Sequence, residues 1–271
     1  MSSFSPASFG VIGLGRMAQA LLFPLLESGQ LNAAVVQAAV ASPASAERLR
    51  AQRPDLQVST EAAAAWGSAA VLLAVKPQQL DAVAAAAPAP SGVEPPLLMS
   101  VLAGVTLARL QRLFPGWRIV RAVPNTPCLV RAGLTGLAWG DGVSADQQEW
   151  VEQLFAQVGE VLQLPESQLD AFLALTSSGP AFVALVAEAM ADGAVAAGLP
   201  RVQAHHLAQR TLAGTAALLQ EQQLHPAQLK DMVSSPGGTT IAGLRALESA
   251  GLRAALIEAV VAAAERSRQL G

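Results

Sequence analysis

Residues 10–22 read GVIGLGRMAQALL and place Gly13, Gly15 and Ala18 at GxGxxA spacing. That spacing suits a dinucleotide. Gly13 permits a tight turn after a strand. Gly15 lets backbone approach a pyrophosphate, and Ala18 keeps the following helix close to the sheet. Far along the chain, residues 235–240 read SPGGTT. Pro236 stops the helix before it, Gly237 and Gly238 remove side-chain bulk and permit unusual dihedrals, and Thr239 or Thr240 can cap the helix after it. Such a turn directs free N–H groups outward, where they suit an anion. Taken alone, it serves equally well as an ordinary turn between two helices.

Further candidates lie where strands end. Ligands of parallel sheets bind beyond the carboxyl ends of the strands. After the second apolar run, VVQAAVAS, an NAD site usually carries an acidic side chain for the adenosine ribose. Here Ala41 and Ser42 occupy that corner, with Arg48 farther on. Ser42 can hydrogen-bond a 2′-phosphate and Arg48 can supply charge, so the corner favours NADPH, with NADH still possible. AVKPQ puts Val75 and Lys76 at another strand end, where Lys76 either contacts cofactor or marks a turn. SVLAGVT adds Leu102 and Ala103, small enough in part for a nicotinamide to lie near backbone. RAVPNTP adds Asn125 and Thr126, which either bind substrate, orient the ring or belong to a rigid loop.

These positions need elements to hold them. The first half alternates strand and helix, from FGVIG through AAVLLAVKP, LLMSVLAG and RIVRAVPN to EVLQL. Short apolar strands between helices imply a mostly parallel α/β sheet covered on both faces. The first helix is expected to bend near Pro24. After Leu164 the pattern changes. PESQLD is a polar junction, and helices are expected over roughly 170–197, 201–220, 226–233 and 240–269, the first of them divided near Gly179-Pro180. The expected division is a flexible N-terminus at 1–8, a dinucleotide-binding domain at 9–164 and a helical domain at 165–271.

Composition narrows the function classes. With 271 residues the chain has room for two domains. Hydrophobic residues make up 52% and charged residues 14%, so low charge and alanine-rich helices point to burial against a second copy. A net charge of -3 without a basic cluster argues against nucleic acid. Cys128 is the single cysteine, and the three histidines lack metal-site spacing, so no metal is expected. The start of the chain lacks a signal-peptide pattern, and Glu188 and Asp192 interrupt the most apolar run. A soluble cytoplasmic protein with no membrane partner is the expectation.

GLGRMA, AVKPQ, IVRAVPNTPCLVRAG, SSGPAFV, EAMADGAVAAGLPR, HPAQLKDMVSSPGGTTIAGL and LESAG together resemble the pyrroline-5-carboxylate reductase family. The resemblance covers almost the whole chain after residue 9. It implies a Rossmann-like N-terminal domain and an all-helical C-terminal dimerisation domain, with dimers that can build larger rings. It also implies reduction of L-1-pyrroline-5-carboxylate to L-proline by NADPH or NADH, the last step of proline biosynthesis. Ser234, Ser235, Gly237, Gly238 and Thr239 would hold the substrate carboxylate, with Asn125 nearby, and Thr240 would face the ring nitrogen. Ile12, Gly13, Leu14, Gly15, Arg16, Met17, Ala41, Ser42, Val75, Lys76, Leu102 and Ala103 would hold the cofactor.

Two positions depart from the family's pattern. Glu61 stands where the family often has an asparagine on the adenosine side, and a carboxylate there would repel a 2′-phosphate. Phe182 replaces a tyrosine, which assigns that position to packing. The competing readings are a small β-hydroxy acid dehydrogenase using Lys230, an F420-dependent or general imine reductase, and a noncatalytic NADPH-binding regulator.

Overall fold

The computed structural model describes residues 4–90 and 94–270. The chain divides into two compact units. One runs to Ser177 and takes back the chain from Ala263 onward; the other is Ser178–Ala262.

In the first unit the strands are β1 (Phe9–Ile12), β2 (Val36–Ala39), β3 (Gln57–Ser59), β4 (Ala70–Leu73), β5 (Leu97–Ser100), β6 (Arg118–Val123), β7 (Gly133–Trp139) and β8 (Gly159–Gln163). Interleaved helices are α1 (Arg16–Glu27), α2 (Pro43–Gln52), α3 (Ala63–Trp66), α4 (Leu80–Ala85), α5 (Leu107–Leu113) and α6 (Ala145–Ala156), and α7 (Leu169–Thr176) follows β8. The sheet order is β3-β2-β1-β4-β5-β6-β7-β8. Every pairing is parallel except β6 with β7. The order therefore reverses between β1 and β4, and the crevice at such a reversal is where ligands bind.

Alternate residues of the strands feed two apolar clusters, one on each face. Phe9 and Val11, Ala70 and Leu72, and Leu97 and Met99 join Leu21, Leu22, Leu154 and Phe155. Ile12, Val71, Leu73 and Leu98 join Trp66, Leu80, Leu110 and Phe114 on the other side. A period of two with both faces buried is why these strands read as continuous apolar runs. Trp66 packs against Phe114 and edge-on against Trp117, with centroids 5.7 and 5.6 Å apart. Gly10 is what lets α3 lie so close. A Cβ there would fall 2.0 Å from the Ala65 carbonyl oxygen.

Pro24 lies inside α1, which continues to Glu27. Residues Thr126–Val130 form a 3-10 turn that the loop reading of 124–127 did not foresee. PESQLD does more than join domains. Arg121, buried in β6, pairs through Nη1 with Glu166 at 3.0 Å and through Nη2 with Asp170 at 3.3 Å. Glu166 also accepts the Leu107 N–H at 2.6 Å, and Ser267 donates to Asp170 at 2.7 Å. These bonds and the burial of Leu169 hold α7 and the chain's last turns to the sheet. The compact division thus falls after Ser177, while the sequence change falls near residue 165. Within the 1–8 segment, residues 1–3 lie outside the described residues. Phe4 packs edge-on against Trp150 at 5.5 Å, and Ser8 accepts the Ala69 N–H.

The second unit holds α8 (Gly179–Ala196), α9 (Arg201–Glu221), α10 (Pro226–Met232), α11 (Thr239–Ser249) and most of α12 (Leu252–Arg268). The helix expected over 170–197 is divided, with Pro180 in the first turn of α8. The helix expected over 240–269 is also divided. Gly251, at φ 76, takes a left-handed conformation that ends one helix before the next begins.

Gly10→Ala should destabilise the protein by about 1–3 kcal/mol, because backbone on both sides must move to admit one methyl group. A lowered thermal midpoint in calorimetry is the expected result, and an unchanged midpoint would mean that α3 does not press on β1.

Candidate active site

The β1–α1 turn is shaped by two glycines with different constraints. Gly13 has φ 88, and a Cβ there would lie 2.9 Å from the Ala74 carbonyl oxygen and from Val75 Cγ1. Its N–H donates to Ala39 O at 2.9 Å, while Ala74 N–H donates to Ile12 O at 2.8 Å. The turn is thus wedged between the ends of β2 and β4. Gly15 is the N-cap of α1 in extended conformation, and nothing lies within 4 Å of where its Cβ would be. The space that a side chain would fill is therefore free for a ligand. Arg16 and Met17 open α1, so their N–H groups precede the helix's own bonding and face an incoming anion.

A cleft of about 510 Å³ runs along these strand ends. Ile12, Gly13, Leu14 and Gly15 line its centre, Ala41 lines the β2 side, and Val75 and Lys76 line the β4 side. Arg48 and Lys76 are the charged residues of the lining, which has no carboxylate. A bis-anionic dinucleotide fits this donor set and this gap above Gly15.

Other expected positions sit differently. Ser42 is the N-cap of α2 and accepts the Ser45 N–H at 3.3 Å; Ser45, not Ser42, lines the cleft. Glu61 is exposed beside the cleft residues Thr60 and Ala62, with its N–H donated to Ser59 Oγ. Leu102 and Ala103 follow β5, one strand farther on, outside the cleft lining; Leu102 is buried. Asn125 is buried too. Its Nδ2 donates to the Thr176 carbonyl at 3.0 Å and its Oδ1 accepts the Leu134 N–H at 2.8 Å. The side chain expected to bind substrate is therefore engaged in joining β7 and α7 to the end of β6. Ser177 donates to Pro124 O at 3.1 Å and reinforces the same junction. Burial pushes the Cys128 thiol up from its ordinary range, so it offers no thiolate nucleophile.

Sequence reading missed Ser45, Thr60 and Trp66 as cleft residues. Ser45 and Arg48 stand at i and i+3 on α2, a spacing that could have linked them. Nothing local marks Trp66, whose position depends on α3 lying over Gly10.

In the second unit, SPGGTT takes a definite form. The Gly238 N–H donates to the Ser235 carbonyl at 3.0 Å across Pro236 and Gly237, and Gly237 has φ 68. Proline followed by a glycine of positive φ is the signature of a type II turn. Gly238 is the N-cap of α11 and has no side chain to cap it. The expected capping role of Thr239 or Thr240 does not occur, because both are already helical. Their hydroxyls and the first N–H groups of α11 remain for a ligand. A Cβ on Gly238 would fall 2.3 Å from Ser235 Oγ, so glycine there keeps that hydroxyl in place. Ser234 donates to the Lys230 carbonyl at 2.6 Å, which ties the turn to the end of α10.

Residues 166–270 match the family described as pyrroline-5-carboxylate reductase dimerisation, and residues 8–104 match NADP oxidoreductase coenzyme F420-dependent. The pyrroline-5-carboxylate reductase of Synechocystis sp. is 47% identical over 97% of both chains. The chain belongs to the pyrroline-5-carboxylate reductase family. The family's enzyme from Methanosarcina acetivorans is 39% identical over 97% of both chains. Among solved structures, the Coxiella burnetii reductase is 31% identical, covers 98% of this chain and 99% of its own, and superposes with a TM-score of 0.86. The Plasmodium falciparum reductase, solved with NADP bound, is 26% identical over 98% of both chains, also with a TM-score of 0.86. Membership in the pyrroline-5-carboxylate reductase family separates the chain from the β-hydroxy acid dehydrogenase reading of Lys230.

Gly15→Val should leave the thermal midpoint nearly unchanged, since its Cβ meets nothing, yet weaken NADP⁺ binding by about tenfold or more by filling the gap above α1. Gly13→Val should instead lower the midpoint, because it combines positive φ with a backbone clash. Calorimetry and NADP⁺ titration of both variants check the contrast.

Proposed function

We propose that the chain reduces L-1-pyrroline-5-carboxylate to L-proline with NAD(P)H, NADPH being preferred, as the final step of proline biosynthesis. The observation that carries the substrate assignment is the SPGGTT turn. Its type II geometry leaves the start of α11 uncapped, with hydroxyls and N–H groups free. A dinucleotide cleft alone is common to many oxidoreductases; an anion-holding turn that ends in a threonine hydroxyl fits a cyclic imine bearing a carboxylate.

Bound in the cleft, the reduced nicotinamide supplies the hydride that the C=N carbon accepts. The protein's own part is placement. Ser235, Gly237, Gly238 and Thr239 hold the carboxylate through N–H and hydroxyl donors, strengthened by the anion's charge. Ser234 braces the turn from behind. Thr240, half-buried at the second position of α11, orients the ring nitrogen. A threonine hydroxyl is too weak an acid to drive protonation, so the iminium proton arrives with the substrate or through water. Fixing the imine carbon in a reactive geometry then supplies much of the rate. Phe182, half-buried in α8, packs and moves no proton.

Assembly belongs to the same reading. Ala191, Ala204 and Ala208 form the second unit's one buried apolar cluster, whereas Leu185, Val202, Met232 and Ile257 are exposed, Val202 by 84%. A groove of about 930 Å³ between α8 and α9 is lined by Val183, Leu185, Leu212 and several alanines. The most apolar stretch within Glu166–Ala196 has mean hydropathy 1.6 and is only 17% buried, enough by length and composition alone to cross a membrane. We assign these surfaces to a second copy, since the domain matches a dimerisation family. The active form is then a homodimer or a larger ring of dimers, in which one subunit's substrate turn meets its partner's cofactor. A cytoplasmic location, without nucleic acid or membrane as partner, completes the proposal.

Thr240→Ala should lower the rate of hydride transfer by about ten- to a hundredfold while NADPH binding stays near the parent value, because one oriented hydrogen bond to a charged nitrogen is lost. Stopped-flow absorbance at the nicotinamide band with pyrroline-5-carboxylate measures it, and a parent-like rate would sink the nitrogen contact. Leu185→Glu should convert the dimer to monomer in light scattering and abolish reduction, while NADP⁺ binding survives. A fully active monomer would refute the shared-site assembly.

A further inference from the structure

The substrate turn hangs from α10, and α10 has little to hold it. The helix has 7 residues and none is buried; Leu229 alone is half-buried. A helix this short is marginal by itself, so the groups that satisfy its ends have unusual influence. At its far end Ser234 is tied twice to the last turn. Its N–H donates to the Asp231 carbonyl at 3.1 Å and its hydroxyl to the Lys230 carbonyl at 2.6 Å. SPGGTT begins at the next residue, so order in α10 sets where that turn starts.

The near end is held by His225. Pro226, the first helical residue, has no N–H, which leaves Ala227 as the first donor of the helix. The Ala227 N–H donates to His225 Nδ1 at 3.2 Å, and the His225 N–H donates to Gln228 Oε1 at 2.9 Å. Both donors are backbone N–H groups, so both directions are fixed. Nδ1 is therefore the unprotonated nitrogen of a neutral ring. The usual N-caps are Ser, Thr, Asp and Asn, and none of them takes up a proton near neutrality; histidine does. A proton on Nδ1 turns the acceptor into a donor. It breaks the bond to Ala227 and puts a positive charge at the positive end of the helix dipole. The cap is thus present above the histidine range and lost as pH falls through it.

Neighbouring charges do not substitute for it. Glu221 ends α9, and Lys230 and Asp231 lie in the last turn of α10; His225 forms an ion pair with none of them. Lys230 instead lines a groove with Glu248 of α11 and Arg253 of α12. The other two histidines, His205 and His206, sit inside α9, away from the caps of α10.

We propose that His225 is a positioning residue for the substrate turn, and a pH-sensitive one. Its neutral ring caps α10 and keeps SPGGTT in place; its protonation loosens substrate binding and leaves the cofactor cleft unchanged. The proposal rests on the reading of SPGGTT as the turn that holds the substrate carboxylate.

The test compares the full-length parent with His225→Asn, which keeps an N-cap that does not titrate. Steady-state kinetics use pyrroline-5-carboxylate and NADPH. The imine of the substrate titrates too, but equally for both proteins, so the difference between their profiles belongs to His225. From about pH 8 to about pH 5.5, the KM of the parent for pyrroline-5-carboxylate should rise about three- to tenfold more than that of His225→Asn, while the KM for NADPH changes alike in both. His225→Ala should raise the substrate KM by a similar factor already at about pH 8. In hydrogen exchange, corrected for its intrinsic pH dependence, residues 226–238 of the parent should lose protection at the acid end, and those of His225→Asn should keep it. Parallel KM profiles, a parent-like KM for His225→Ala, or equal acid-end protection in parent and His225→Asn would overturn the proposal. Failure of the parent to reduce pyrroline-5-carboxylate at every pH would refute the functional reading instead, and the exchange comparison would still decide whether His225 holds the turn.

Discussion

Ala191, Ala204 and Ala208, packed where α8 meets α9, form the one buried apolar cluster of Ser178–Ala262. Burial of three methyl-sized side chains falls far short of the ordering entropy of such a unit. The apolar surface that would offset it faces outward on α8, α9, α11 and α12. Such a surface suits contact with another copy, in keeping with the match of residues 166–270 to a dimerisation family.

The first unit meets the opposite condition. Both faces of its sheet are covered, and its apolar clusters run the length of β1, β4 and β5. Small residues sit where rigid parts meet. Gly10 admits α3, Gly13 fits between strand ends, and Gly15 leaves open the start of α1. Arg121 and its two carboxylates then fasten α7 and the chain's last turns to the sheet. Asn125 belongs to the same work of joining elements. Polar side chains near a site are often occupied by the scaffold, and the residues left free are the ones that can select a ligand.

Much of this was legible in the residues. Alternating apolar strands and helices announced the sheet, and GLGRMA announced the turn at its switch point, because both signals are local. SPGGTT announced a turn for the same reason, since proline followed by glycine restricts backbone wherever it occurs. Domain division was less legible. Composition changes near residue 165, but α7 stays with the sheet because Leu169 is buried there and Glu166 and Asp170 reach Arg121. An arginine inside an apolar strand, with two acids in a later polar junction, was a signal of that fastening.

The sequence by itself determined the class of backbone at each turn, the two-part organisation and the family, since these depend on residue types a few positions apart. Only the tertiary structure decided which side chains remain free. Ser42 and Ser45 are alike as residues, yet one caps a helix and the other faces the cleft. Asn125 and Glu61 were both candidates, yet one is buried with its amide bonded to Thr176 and Leu134, while the other is exposed beside Thr60 and Ala62. Hydrogen-bonding capacity is a property of a residue type, but whether it is already satisfied depends on partners that folding brings from elsewhere in the chain.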